Sequence, residues 1–165
     1  MGITGKTTRV ELGTAEVELE LPVASSPSDA YSAFVNDISR WWSRGYTMGG
    51  EKTTGLILED EPGGRLLEQW GDRDGAIWAL VIQVEQGRMI HLGIPEGVVW
   101  SGPGMIRVTF ADGEDGTTLV QLKHTSTQLH SDTGHEGYRV GWTDLVMERF
   151  AKYAGGERVD DAVTP

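Results

Sequence analysis

Cysteine is absent from the 165 residues, and with it go disulfide cross-links, thiolate zinc sites and cysteine nucleophiles. Positive charge is scarce: 14 Lys and Arg stand against 25 Asp and Glu, a net charge of −11. A chain of that sign repels the phosphate backbone of nucleic acid and the anionic face of a membrane, so neither is an expected partner. No apolar run approaches the roughly 20 residues that span a bilayer. The opening residues Met1 to Arg9 are polar and hold no apolar signal-type segment, which makes a cytoplasmic setting the expectation. Proline is sparse too, six residues against 23 glycines; that excludes collagen-like and low-complexity chains and implies many turns.

What remains is an ordinary globular composition, 38% hydrophobic and 24% charged. A chain of this length fits one domain and buries about 70% of its unfolded surface, enough for one sizeable core. Residues 10–154 are expected to form that domain, with 1–9 and 155–165 as flexible termini; the polar tail from Glu157 to Pro165 is expected to fray.

Glu16 to Leu21 alternates strictly between acidic and apolar residues, placing Val17, Leu19 and Leu21 on one face of a strand. Ser26-Pro27-Ser28-Asp29 then opens a helix, with Ser26 as cap, Pro27 at the first helical position and Asp29 on the positive end of the dipole. Ala30, Phe34 and Ile38 share its buried stripe, and Trp41-Trp42 ends it or starts a further short turn. Six candidate strands follow, about 53–59, 64–70, 77–84, 89–94, 105–111 and 117–126. The gaps are short and rich in Gly and Asp, which suits antiparallel hairpins and leaves no room for the crossover helices that parallel pairs need. A last helix from about His135 to Tyr153 carries Tyr138, Trp142, Leu145, Val146, Phe150 and Tyr153 on one wide apolar stripe. Strand, helix, six strands and helix is a segregated α+β order, and the sheet's inner face needs that last helix as its cover.

In that order and spacing, the Pro27-Ser28-Asp29-Ala30 helix start, Trp41-Trp42, Gly63-Gly64-Arg65 leading to Glu68, the Gly75 turn leading to Trp78, Gly116-Thr117-Thr118 leading to His124, and Gly141-Trp142 resemble the activator-of-heat-shock-ATPase homologues. These belong to the START-like, polyketide-cyclase-like (SRPBCC) superfamily. The resemblance spans about Val17 to Tyr153. It implies a helix-grip fold, a curved antiparallel sheet of about seven strands around a long C-terminal helix, with an apolar cavity between them. The superfamily also contains aromatase/cyclases, hormone-binding proteins and lipid carriers, so it implies no single activity.

Against that expectation the candidate residues can be placed. Trp78 and Trp142 are expected to face the gap between sheet and helix, Trp70 beside them, with Trp42 closing one end. Tyr138, Leu145 and Val146 mark the helical wall and Phe110 the strand wall. Glu68 alternates with Leu66 and Trp70; on an apolar face its carboxyl is expected to titrate above the usual range and to serve as a polar handle or proton carrier. At an edge it is instead a solvated residue or a partner of Arg65 or Arg107. His124, alternating with Val120 and Leu122, is a hydrogen-bonded core residue or an acid/base paired with Glu68. His130, Asp132, His135 and Glu136 could ligate a metal, but a polar loop with a capping acid explains them, and no metal or cofactor is expected. The acidic runs Glu59-Asp60-Glu61 and Asp112 to Asp115 read as solvated hairpin tips. No phosphate loop, nucleophile elbow or dinucleotide fingerprint occurs.

Three functional readings follow. The leading one is a small-molecule binding protein holding a hydrophobic or aromatic ligand between the sheet and the last helix; the others are a co-chaperone-like activator of the ninety-kilodalton heat-shock ATPase and a cyclase- or hydrolase-like enzyme using Glu68 and His124. A homodimer is compatible with a domain of this size.

Overall fold

A computed structural model of the protein describes residues 15–98, 103–126 and 138–165. Strand β1 (Ala15–Val23) is followed by helix α1 (Pro27–Asn36) and a single turn, α2 (Ile38–Trp41). Strands β2 (Gly55–Leu58), β3 (Arg65–Gln69), β4 (Gly75–Glu85), β5 (Met89–Ile94), β6 (Gly104–Asp112) and β7 (Thr118–Ser126) come next. The C-terminal helix α3 is described over residues 138–154. The sheet is antiparallel and seven-stranded, in the order β1-β7-β6-β5-β4-β3-β2. β2 to β7 thus form a meander, each strand beside its successor, while β1 docks on the far edge and the α1–α2 segment carries the chain back across the sheet.

Local chemistry accounts for these boundaries. The alternating β1 pairs with β7 so that Val17, Leu19 and Leu21 lie opposite His124, Leu122 and Val120. On the opposite parity Lys123 reaches Glu16 and Glu18 at 3.2 and 3.5 Å; these exposed pairs contribute little to stability. Ser26 caps α1 by accepting the Asp29 N–H at 3.2 Å. The β4–β5 turn places Gly87 at φ +75°, a backbone region that costs glycine nothing and most side chains about 1 kcal/mol or more. Thr53 and Thr54, expected within a strand, lie just before β2 because the ladder with β3 begins at Gly55↔Gln69.

Two bulges bend β4. Leu66 pairs with Ala79 but Leu67 with Ile77, leaving Trp78 as an extra residue, and Val81 pairs with Leu92 but Gln83 with His91, leaving Ile82 extra. An extra residue bends and twists a strand. The first bulge makes Trp78 and Ala79 buried in succession; the second sends both Ile82 and Gln83 outward. The curved inner face closes on one core, where Phe34 packs against Trp41, Phe110 and Phe150 with ring centroids 5.0, 5.7 and 5.2 Å apart.

Two features depart from expectation. Within α3 the stretch Thr143–Phe150 is π-helical, and the helix is α again at Ala151–Ala154. Residues four apart stay nearly aligned in either helix type, so Val146 and Phe150 keep the buried face that their spacing predicts. The tail after Gly156, expected to fray, packs instead. Val163 is buried, its N–H donates to Trp42 O at 3.1 Å, the Thr164 N–H donates to Ser39 O at 2.9 Å, and Arg44 Nη2 donates to Val163 O at 2.6 Å. One apolar side chain and a short ladder anchor a segment that is otherwise polar. Residues 1–9 and the expected start of α3 at His135 lie outside the described residues. Among the described residues, no helix is long and apolar enough to cross a membrane.

Hydrogen exchange followed by NMR is expected to show the Val163 and Thr164 amides protected well above the level of a free tail, and Val163→Asp is expected to abolish that protection. Exchange at the unstructured rate in the wild type would refute the docking.

Candidate ligand-binding site

The site grows from the segment between α2 and β2. At the end of α2 the backbone turns extended at Trp42, with φ −71° and ψ 131°. Ser43 then caps a tight turn by accepting the Gly45 N–H at 3.1 Å. Arg44 staples this segment, its Nη1 donating to the carbonyls of Gly50 and Thr53 at 2.9 Å each. The result is a loop pinned by hydrogen bonds, with Tyr46, Thr47 and Met48 facing the cavity and the Tyr46 ring beside Gly141 of α3.

Beneath the loop lies Glu68, fully buried on the inner face of β3. Its Oε1 accepts from Gly49 N, Thr53 Oγ1 and Trp70 Nε1 at 2.7 Å each, and its Oε2 accepts from Trp78 Nε1 at 2.8 Å and Met48 N at 3.0 Å. Five donors exceed the roughly four lone-pair directions a carboxylate offers. Burial pushes this carboxyl up, yet the hydrogen bonds from Met48, Trp70, Gly49 and Thr53 outweigh it and hold the group below its ordinary 4.5. The raised value expected from an apolar strand face is therefore corrected: the face is apolar in its side chains but dense in N–H and O–H donors brought by the loop and by β4. Neither Arg65 nor Arg107 is a partner, and Arg65 pairs with Glu59 at 2.7 Å. Gly49 is part of the device, because a Cβ there would meet Trp70 Nε1 at 2.5 Å and Thr53 Oγ1 at 2.6 Å.

Above this layer, between the loop, the sheet and α3, is a cavity of about 220 Å³. Trp78 enters it from the β4 bulge, Trp42 from the loop, and Tyr138, Trp142 and Leu145 from α3. Trp78 and Trp142 both stand nearly perpendicular to Trp42, at 70° and 88° with centroids 5.9 and 6.1 Å away. Each indole N–H is engaged behind the wall: Trp42 donates to Tyr46 O at 3.1 Å, Trp78 to Glu68, and Trp142 to His124 Nδ1 at 2.9 Å. The cavity therefore meets carbon and π surface rather than these donors. His124 accepts at Nδ1, which places its proton on Nε2, and its ring lies 4.9 Å from that of Tyr138.

The residues expected at the site divide three ways. Trp42, Trp78, Tyr138, Trp142 and Leu145 line the cavity. Glu68 and His124 lie one layer behind, each receiving an indole N–H from a wall residue. Trp70 sits on the far side of Glu68 with Lys52 Nζ 5.6 Å from its ring centroid, Phe110 packs between Tyr31 and Phe34, and Val146 is fully buried. Tyr46, Thr47, Met48 and Gly141 also line the cavity and were not among the residues expected there. Aromatic Tyr46 shortly after Trp41-Trp42 was the available signal. The ligand cluster His130, Asp132, His135 and Glu136 lies outside the described residues, among which no metal-binding group of His, Asp and Glu occurs. A larger depression of about 370 Å³ across β1, β7 and β6 is bordered by Glu18, Arg107 and Lys123; exposed charges make it a solvated surface concavity.

No family model and no curated protein matches the chain. Solved structures do. CalU16 from Micromonospora echinospora is 14% identical with a TM-score of 0.60, over 88% of this chain and 78% of that one. DynU16, from the dynemicin biosynthetic locus, is 18% identical with a TM-score of 0.65 over 88% of this chain, which spans 50% of DynU16. The Aha1 dimer from Colwellia psychrerythraea is 13% identical with a TM-score of 0.64, over 85% of this chain and 96% of that one. At such identities the likeness establishes the fold: this is the α+β helix-grip fold that the sequence resemblance implied.

Replacing Glu68 by Gln sets an amide N–H₂ against donors and is expected to lower stability by about 3 kcal/mol in urea unfolding. A loss under about 1 kcal/mol would show that the five-donor cluster is dispensable. Because folding lowers the carboxyl from 4.5, its contribution is complete above that value and is lost as the pH falls below it. Wild-type stability should therefore fall steeply below pH 4.5, and that of a folded Glu68→Gln variant should fall less.

Proposed function

We propose that the protein binds a hydrophobic or aromatic small molecule in the cavity between the sheet and α3. The observation that carries this reading is a concave, aromatic-walled space whose three indole N–H groups are all engaged elsewhere. Its volume of about 220 Å³ exceeds the roughly 150 Å³ void that takes up benzene and falls below the roughly 300 Å³ at which pockets for drug-sized ligands begin. The occupant is accordingly a one- or two-ring molecule, or the compact end of a longer one. A catalytic reading with Glu68 as base has less support, since both its oxygens are already saturated by donors.

The likeness to the Aha1 dimer favours a second reading, in which the chain acts on a heat-shock ATPase or pairs with a second copy of itself. Unchanged ATP turnover of the chaperone in the presence of the pure protein would remove the first part of it, and a monomeric sedimentation coefficient the second.

Naphthalene is expected to give saturable binding by saturation-transfer NMR, and Leu145→Trp, which fills the cavity from α3, is expected to abolish it while the protein stays folded by circular dichroism. Equal signals from the wild type and this variant would place the binding elsewhere and defeat the reading.

A further inference from the structure

Trp78, a central ring of the cavity wall, has an anion behind it. Trp78 donates its N–H to the Glu68 carboxylate at 2.8 Å. Tyr46, also on the wall, has its hydroxyl pushed above the ordinary value by burial and then by the nearby Asp144, against the opposing charge of Arg149. A ring whose N–H or O–H donates to an anion presents a more negative face, the face that attracts cations. Glu68 is held by five neutral groups, so its charge is not cancelled by an ion pair and acts on the cavity through Trp78 and Met48 across a poorly screening interior. Among the described residues, no Lys or Arg lines the cavity, and the chain as a whole carries −11.

The protein already uses the same arrangement once. Trp70 donates to the other Glu68 oxygen at 2.7 Å, and an ammonium group, Lys52 Nζ, stands 5.6 Å from its ring centroid. On the cavity side the matching ring is Trp78, with Trp42 and Trp142 completing an angular box.

We infer, resting on the small-molecule reading above, that the ligand of this cavity is a hydrophobic organic cation whose methylated ammonium group sits among Trp42, Trp78, Trp142 and Tyr46. The form of the cation follows from hydrogen bonding. A primary ammonium would need acceptors for three N–H bonds, whereas Glu68 already accepts five and Tyr46 O and the Thr47 hydroxyl each already accept one, which leaves few lone pairs facing the cavity. A quaternary ammonium has no N–H to satisfy and is attracted through its methyl groups.

The test compares phenyltrimethylammonium with tert-butylbenzene, its neutral isostere, and with benzylammonium, each titrated into the full chain by saturation-transfer NMR. The quaternary cation is expected to bind at least about tenfold more tightly than either, in keeping with a desolvated cation–π contact. Equal or tighter binding of tert-butylbenzene overturns the cation preference while leaving the apolar reading intact; binding of none of the three removes both. Tyr46→Phe, which keeps the ring and removes the hydroxyl, should reduce the cation-to-neutral ratio. An unchanged ratio would overturn the assignment of the preference to these polarised walls.

Discussion

The organisation of this molecule turns on a buried negative charge. An isolated carboxylate in an apolar interior is costly enough that it would normally take up a proton. Glu68 avoids this by drawing two loop amides, a hydroxyl and two indoles onto its oxygens. In doing so it ties the loop around residues 48–53, which lies outside the strand ladder, to the paired strands β3 and β4. The loop then has one position over the sheet, and its crest becomes a wall of the cavity. Removing the charge would leave several donors stranded, so the arrangement is cooperative: each donor is placed by the same acceptor.

Curvature supplies the opposite wall. A flat seven-stranded sheet would pack α3 evenly and leave no gap, whereas the two β4 bulges bend the strand and turn Trp78 inward beside Ala79. α3 meets this bend with Trp142 and Leu145, while Phe150 further along joins the close-packed aromatic cluster with Phe34 and Trp41. One end of the helix is therefore core and the other is cavity wall. The docked tail strengthens the loop side, since Val163 and the Arg44 guanidinium hold the segment following α2 from behind.

Much of this was legible from residue patterns. The alternation of β1, the cap of α1, the Gly- and Asp-rich turns and the stripe of α3 are local signals, and the strands formed close to the expected bounds. The pairing of Leu66 and Glu68 on one strand face was also visible, because strand parity is a local property. The direction of the Glu68 titration was not, since it depends on amides and indoles contributed from residues 48, 49, 53, 70 and 78. Tyr46 and Thr47 escaped notice because irregular loops carry no periodicity, and the tail was misjudged because a single buried Val163 does not register as an apolar run.

By itself the sequence determined the class of the fold, the order of its elements and the residue types available for a site: tryptophans, and a carboxylate and a histidine that each alternate with apolar residues. These follow from periodicities and turn chemistry that act over a few residues. Tertiary structure alone decided that the carboxylate would be a saturated anion rather than a protonated acid, that the indoles would turn their N–H groups away from the cavity, and which aromatic rings would enclose it. Those outcomes depend on strand bulges and on donors distant in the chain, and only their assembly in space sets the balance between desolvation and hydrogen bonding.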